Sequence, residues 1–241
     1  MQPQAGRPTI ARRVDKGEPM DLLKILRSFE EFLFEAVSWL VFYPLTLWRI
    51  LRGPLAAMDY SDREQSDSEE RRYDDALSPP LFLLATIVLT NLLSMALHVP
   101  PPPEATDLSR MVYASQQNLV LFRSLAFSLI PLVAAVTLLR HEKKRISRET
   151  RRAPFYAQCY LAAVCAAFVS AGGTIFQRPE LPNAVGAAIM IGGTAWFVVV
   201  QSRWFARRLN VSKGRGAVIA VLALIRALIY LLAILIPIAL I

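Results

Sequence analysis

The sequence is poor in the groups that do covalent chemistry. It has two histidines and two cysteines in 241 residues. No His-Glu-x-x-His or Cys-x-x-Cys pattern occurs, and Lys213-Gly214-Arg215-Gly216 is too short for a phosphate-cradling loop and lacks its spacing. These absences remove the commonest zinc, dithiol and nucleotide sites and predict a protein that is not an enzyme and holds no metal or cofactor. Cys159 and Cys165 lie six residues apart in one apolar run. On a helix that spacing puts them on different faces, so they read as small packing residues rather than a disulfide. The first twenty residues have no apolar core, which predicts no signal peptide.

Acids are also missing from the long apolar runs, and those runs are what the sequence has in abundance. Hydrophobic residues make up 54% of the chain, and mean hydropathy is +0.38. Five stretches, 80–99, 119–139, 155–176, 184–202 and 217–241, are long enough to cross a bilayer as helices. The predicted fold is therefore all-α: a polytopic membrane bundle of five transmembrane helices, preceded by an amphipathic interfacial helix.

Residues 1–20 are polar, with Pro3, Gly6, Pro8 and Gly17, and read as a disordered tail. In 21–55, Asp21 reads as a helix N-cap. Lys24, Arg27, Ser28, Glu31, Glu35 and Ser38 then recur at three- and four-residue spacing, opposite Leu22, Ile25, Phe29 and Phe32, a pattern suited to the headgroup plane. The part 32–51 contains Pro44, Trp39, Tyr43 and Trp48, and Arg49 and Arg52 close it off. An interfacial or re-entrant segment fits this better than a sixth span, which would also carry Arg12, Arg13 and Lys16 to the far side.

The charge is unevenly spread. The net charge of +8 conceals eight acids against three bases in 56–80, while 140–154 and 203–216 are strongly basic. Basic loops beside spans orient the chain before they suggest a ligand, so these two loops and the N-terminus are expected in the cytoplasm and the C-terminus outside. The far-side loops are nearly neutral; one begins with the rigid stop Pro100–Pro103 and continues into a short polar helix over 107–118. Nucleic acid is not the expected partner, but membrane lipid is, possible anionic headgroups at the basic loops included. The acidic stretch 56–79 reads as a solvated linker, or as a docking surface for a basic partner or for the protein's own basic loops, with Glu69, Glu70, Asp74 and Asp75 as the candidate docking residues.

Lipid supplies no hydrophobic drive between helices, so small residues must let backbones approach. Ala163, Ala167 and Ala171 form one stripe with period four, and Ala184, Ala188 and Gly192 form another on the next span. A tight loop joins these spans, so they are expected to be antiparallel neighbours with facing stripes. A homo-oligomer face is the alternative use. Arg226 stands about midway along the last span, where a charge is costly and usually faces the bundle interior or a watery cavity. It reads as an anion, headgroup or substrate site, or as a structural arginine bonded to backbone carbonyls, Asn91 or Gln201, or one that snorkels. Thr90, Asn91, Gln201 and Arg123 are the other candidate polar residues, and Arg123, one turn inside its span, reads as snorkelling.

Just before the first span, Asp75-Ala76-Leu77-Ser78-Pro79-Pro80-Leu81-Phe82 resembles the Asp-Leu-Tyr-Gly-Pro-(Leu/Phe)-Trp motif of the Yip family of five-span membrane proteins. Asp75 and Pro79 match, Ser78 replaces the glycine, and Phe82 replaces the tryptophan after one added residue. The family's deeper tyrosine-glycine motif has no counterpart. The resemblance implies a non-enzymatic membrane adaptor that organises partners or lipids, and eukaryotic members serve vesicle traffic with Rab-type GTPases. The arginine-rich loops and compact layout point instead to a bacterial inner membrane. The competing expectation is a small oligomeric permease or channel subunit with a polar site around Arg226.

Overall fold

The computed structural model describes residues 22–66, 72–99, 107–178 and 180–239, without the side chains of 22–26, 31–36, 40, 108 and 237–239. The predicted tail 1–20, the Asp21 cap, Glu69, Glu70 and the Pro100–Pro103 stop lie outside the described residues. All eight described elements are helices: α1 (Leu22–Arg52), α2 (Pro54–Glu64), α3 (Pro79–Ala96), α4 (Asp107–Tyr113), α5 (Gln116–His141), α6 (Arg148–Phe176), α7 (Asn183–Arg208) and α8 (Lys213–Ala239). Five of them, α3, α5, α6, α7 and α8, are long and apolar enough to cross a membrane. The shortest, with 18 residues, spans about 27 Å at the helical rise, close to the hydrocarbon thickness of a bilayer. The chain is an integral membrane protein of the all-α polytopic class.

The chain divides after Leu40, within α1, into a short first unit and a compact unit that runs from Val41 onward. Although α1 is 31 residues long, it is not among the helices apolar enough to span. Pro44 lies inside it without ending it, and Gly53 separates it from α2, where Pro54 takes the first helical position, its missing N–H costing nothing there. Ser78 and Pro79 start α3 in the same way. Ser115 caps α5 by accepting from the Asn118 amide at 3.1 Å, and Ser147 and Thr150 form a reciprocal capping box at the start of α6.

Helix α6 is the central element. Most of its apolar window is buried, whereas a third or less is buried in the other four spans. It packs against α3, α5 and α7, while α8 lies against α5 and α7. The buried side chains of α6 are mostly small: Ala157, Cys159, Ala162, Ala163, Cys165 and Ala166. Larger groups come from its neighbours, including Phe82, Leu138, Phe197, Trp204 and Phe205. Large apolar residues such as Leu92, Ile191, Leu228 and Ile229 are exposed on the outside of the bundle, as a lipid-facing surface requires. Both cysteines are buried and unbridged.

Helices α6 and α7 are antiparallel neighbours, as the short connection predicts, but the stripes that meet differ from the expected ones. A Cβ on Gly186 would lie 2.5 Å from the Phe176 amide nitrogen and 2.6 Å from the Gly172 carbonyl oxygen. On Gly193 it would lie 2.3 Å from the Phe168 Cβ. Gly192 has nothing within 4 Å of that position, and Ala184 and Ala188 are exposed. On α6, Ala163 is buried, while Ala167 and Ala171 are only partly covered; the closest approach is at Gly172. The expected Ala184–Ala188–Gly192 stripe is therefore corrected to Gly186, Met190 and Gly193. Sequence shows small residues on two faces of α7, and only packing selects one. A second backbone approach joins α7 to α8, where a Cβ on Gly216 would lie 2.5 Å from the Ser202 carbonyl oxygen.

Gly186→Ala should lower the unfolding midpoint of detergent-solubilised protein, with overpacking of about 1–3 kcal/mol outweighing the gain of about 1 kcal/mol in helix propensity. Gly192→Leu should leave that midpoint unchanged. If the two variants behaved alike, the assignment of the contact face would fail.

Candidate functional site

The acidic stretch is where the structure adds most to the sequence. Instead of a solvated linker, its first part is α2, which packs against α6 and α7. Ala57, Met58 and Ser61 recur at helical spacing and are buried on one face, and Met58 joins the core that holds Trp204, Phe205 and Ala220. Of its acids, Glu64 accepts from the Tyr73 amide at 2.6 Å, while Asp59 and Asp62 meet one of the protein's own basic loops. Asp59 pairs with Arg207, and Asp62 faces Arg208 at 3.2 Å. Arg208 also approaches Glu142 at 4.0 Å, and Glu142 pairs with Lys144 at 2.7 Å, which brings the α5–α6 loop into the network. Both Arg207 and Arg208 sit over the fully buried Trp204 ring at 5.3 Å. Half-exposed ion pairs of this kind contribute about 0–1 kcal/mol each, so the apolar face of α2 carries much of its docking.

Among the four candidate docking residues, Asp75 is engaged within the chain. It accepts from Arg49 Nη2 at 2.8 Å and from the Tyr60 hydroxyl at 2.5 Å. The Arg49 hydrogen bond is the main cause that holds its carboxyl below the usual carboxylate range. Asp74 is exposed. Asp75 opens the turn that delivers the chain to α3. Next to it, Leu77 donates its amide to Thr46 Oγ1 at 3.2 Å, and its carbonyl accepts from the Tyr160 hydroxyl at 2.7 Å. The rings of Tyr43, Phe82 and Tyr160 follow in contact, with centroids 5.0 and 5.9 Å apart. The segment that resembles the family motif thus fastens the end of α1, the start of α3 and the middle of α6 together.

The five candidate polar residues fall into three places. Asn91 and Arg123 come together near the end of the bundle away from the basic loops: Arg123 Nη1 donates to Asn91 Oδ1 at 3.3 Å, and Asn91 Nδ2 donates to Gln116 Oε1 at 3.4 Å. Arg123 is thus drawn to a partner on α3 rather than left to snorkel. Thr90 turns its hydroxyl back to the Thr86 carbonyl of its own helix at 2.8 Å, which satisfies it locally. Gln201 is enclosed near the basic end of α7, and its amide, like that of Gln158, has no hydrogen-bond partner. The antiparallel register set by Gly172 and Gly186 places Gln158 level with Gln201 on the facing helix.

Arg226 has no hydrogen-bond or ion-pair partner among the described residues, neither Asn91 nor Gln201, and is exposed on α8. It lines a cavity of about 180 Å³ between α5, α6 and α8, together with Thr137, Arg140, Arg151 and Tyr230. Arg140 and Arg151 were visible in the sequence only as loop charges; the structure sets them on the same cavity as Arg226. A larger, open groove of about 750 Å³ adjoins through Leu132 and Arg151 and adds Arg148, Glu149 and Arg152. The Arg151 Nε donates to the Ser147 carbonyl at 3.0 Å, and Arg152 rests on the Tyr156 ring. No group of three metal-ligating side chains occurs among the described residues.

Both carboxylate oxygens of Asp62 are buried without a hydrogen bond. Burial pushes this carboxyl up to about 6 against the pull of Arg208 and Arg207, and Asp59 and Glu142 push the same way. A carboxyl that holds its proton more tightly folded than unfolded favours the folded chain at low pH, and that contribution is lost as pH rises from about 4 to about 6. The unfolding midpoint of the wild type relative to Asp62→Asn should therefore fall across this window; a difference independent of pH would remove the burial of Asp62 as its cause. No protein-family model matches the chain, and neither a curated protein nor a solved structure matches it.

Proposed function

We propose that this integral membrane protein is a non-catalytic organiser of anionic lipid, acting at the membrane face that carries its basic loops. The observation that supports this is the cavity shared by Arg140, Arg151 and Arg226, which has no acid in its lining among the described residues. Topology alone accounts for arginines at helix ends, such as Arg140 in the last turn of α5 and Arg151 in the first turns of α6. It does not account for Arg226, which lies thirteen residues into α8, about 20 Å along its axis. A charge at that depth needs an anion or water, and a phosphodiester with its acyl chains along the exposed α5 and α8 surfaces supplies both charge and apolar complement. The adjoining groove, with Arg148 and Arg152, gives room for the rest of a headgroup.

In this reading the basic loops and α2 face the cytoplasm, and the membrane is a bacterial inner membrane. The α2 face is the part that would meet a protein partner, the role implied by the Yip-like resemblance. The permease reading is less well supported, because its proposed lining does not converge. Arg226 opens between α5 and α8, Gln201 is enclosed near the basic end of α7, and Asn91 is bonded near the opposite end of α3.

The test is lipid retention. Wild-type protein purified in mild detergent should keep phosphatidylglycerol in preference to phosphatidylcholine by native mass spectrometry. The triple variant Arg140→Gln/Arg151→Gln/Arg226→Gln should lose that preference by about tenfold, roughly 1.4 kcal/mol, with its unfolding midpoint checked separately. Arg226→Lys, which keeps the charge, should retain it. Equal retention by wild type and a folded triple variant would defeat the proposal.

A further inference from the structure

A second arginine lies in a cavity at the other end of the bundle, with a different set of lining residues, and its surroundings are built for a small ligand. The cavity encloses about 290 Å³ between the end of α3, the α4–α5 turn, the first turns of α5 and the end of α6. Its polar lining includes Ser94, His98, Tyr113, Gln116, Arg123 and Gln177, with no acid among the described residues. Arg123 sits seven residues after Gln116, about 10 Å into α5, at a depth where an unbalanced charge is costly.

The charges at this end isolate Arg123. Among the described residues here, Asp107 is taken by Arg110 at 3.1 Å and Glu180 by Arg178 at 3.8 Å, while Arg178 also reaches the Leu97 carbonyl. Among the described residues Arg123 pairs with no carboxylate, and it spends one donor on Asn91 Oδ1. A guanidinium has five N–H donors, so the remainder are without a protein acceptor among the described residues, in a side chain that lines the cavity. Asn91 is itself fixed by Gln116, which orients the acceptor that holds the guanidinium. The cavity rim is held by a constrained backbone: His98 has φ 48°, a left-handed conformation that a histidine adopts at some cost, and its amide donates to the Met95 carbonyl at 2.9 Å.

We infer that this cavity is a binding site for a small oxyanion, a phosphate or carboxylate group, with Arg123 as its charged anchor and the hydroxyl, amide and imidazole groups around it as hydrogen-bond donors. The group is free in solution or is the head of a lipid; the chemistry at Arg123 is the same, since a planar guanidinium takes two oxygens of either. The volume is at the small end for ligand sites and suits a group of this size rather than a large solute. This inference does not rest on the lipid site at Arg226, from which it differs in residues and in end of the bundle.

The experiment uses full-length delipidated protein in detergent, in the Arg140→Gln/Arg151→Gln/Arg226→Gln background so that the other site cannot respond. Inorganic phosphate and succinate are titrated against the unfolding midpoint at constant ionic strength, with chloride as the control. A rise of about 3 °C or more with either anion, absent in Arg123→Gln and kept in Arg123→Lys, identifies a free-anion site. If neither anion acts, the same proteins are incubated with phosphatidylglycerol vesicles, extracted and analysed by native mass spectrometry. A bound phosphatidylglycerol that Arg123→Gln loses and Arg123→Lys keeps identifies a headgroup site. Gln177→Ala, which alters the lining without touching the charge, should weaken whichever response is seen by severalfold. If wild-type Arg123 and a folded Arg123→Gln variant behave alike in both arms, the site does not exist.

Discussion

Backbone contact between α6 and α7 at Gly172 and Gly186 is the constraint from which the rest of the bundle follows. In lipid the gain from helix association comes from close packing and polar contacts rather than from removing water. Two glycines whose Cβ positions are already occupied by each other's backbone give that packing at its tightest, and the second approach, Gly216 against Ser202, extends it to α8. Once α6 is held there, its small residues leave room on the other sides for the large groups of α3, α5 and α7. The side chains of Phe82, Leu138 and Trp204 fill that room. The interior is built around a slender central helix rather than a large apolar one.

A second principle governs the charges. Many of the acids and bases that look surplus in the sequence neutralise one another in the structure: Asp59 and Asp62 with Arg207 and Arg208, Asp75 with Arg49, Glu142 with Lys144. Arg140 and Arg226 at one cavity and Arg123 at another have no carboxylate partner among the described residues. An arginine without an acid, set into an apolar helix, asks for a ligand in a way that a paired one does not.

Much of this architecture could be read from the residues alone. The five spans follow from apolar runs of sufficient length, and the differences lie at the ends. Helix α6 starts at Arg148 rather than 155, and α7 runs on to Arg208 rather than 202, because charged turns continue a helix that hydropathy ends early. Helix α2 was hidden by its acids. Pro54 at its start and Ala57, Met58 and Ser61 at helical spacing were the available signal, but composition outweighed it. The α7 contact face was ambiguous, since Gly192 and Gly193 are adjacent and point to different sides. Asn91 and Arg123 were separately visible as polar residues in apolar runs. Their bond across 32 positions was not, because nothing in either segment specifies which spans lie side by side.

The docking of α2 joins residues from opposite parts of the chain, Asp59 and Arg207 being 148 positions apart. During synthesis α2 is made before any of the five spans, while its partners on α7 emerge after most of them. Its apolar face, centred on Met58, has no complete surface to rest on until α6 and α7 are both in place. Closure of this short helix is therefore a late event in assembly, and a chain halted earlier leaves Met58 uncovered. An open α2 marks an unfinished bundle, and a closed one marks a bundle whose central pair has formed.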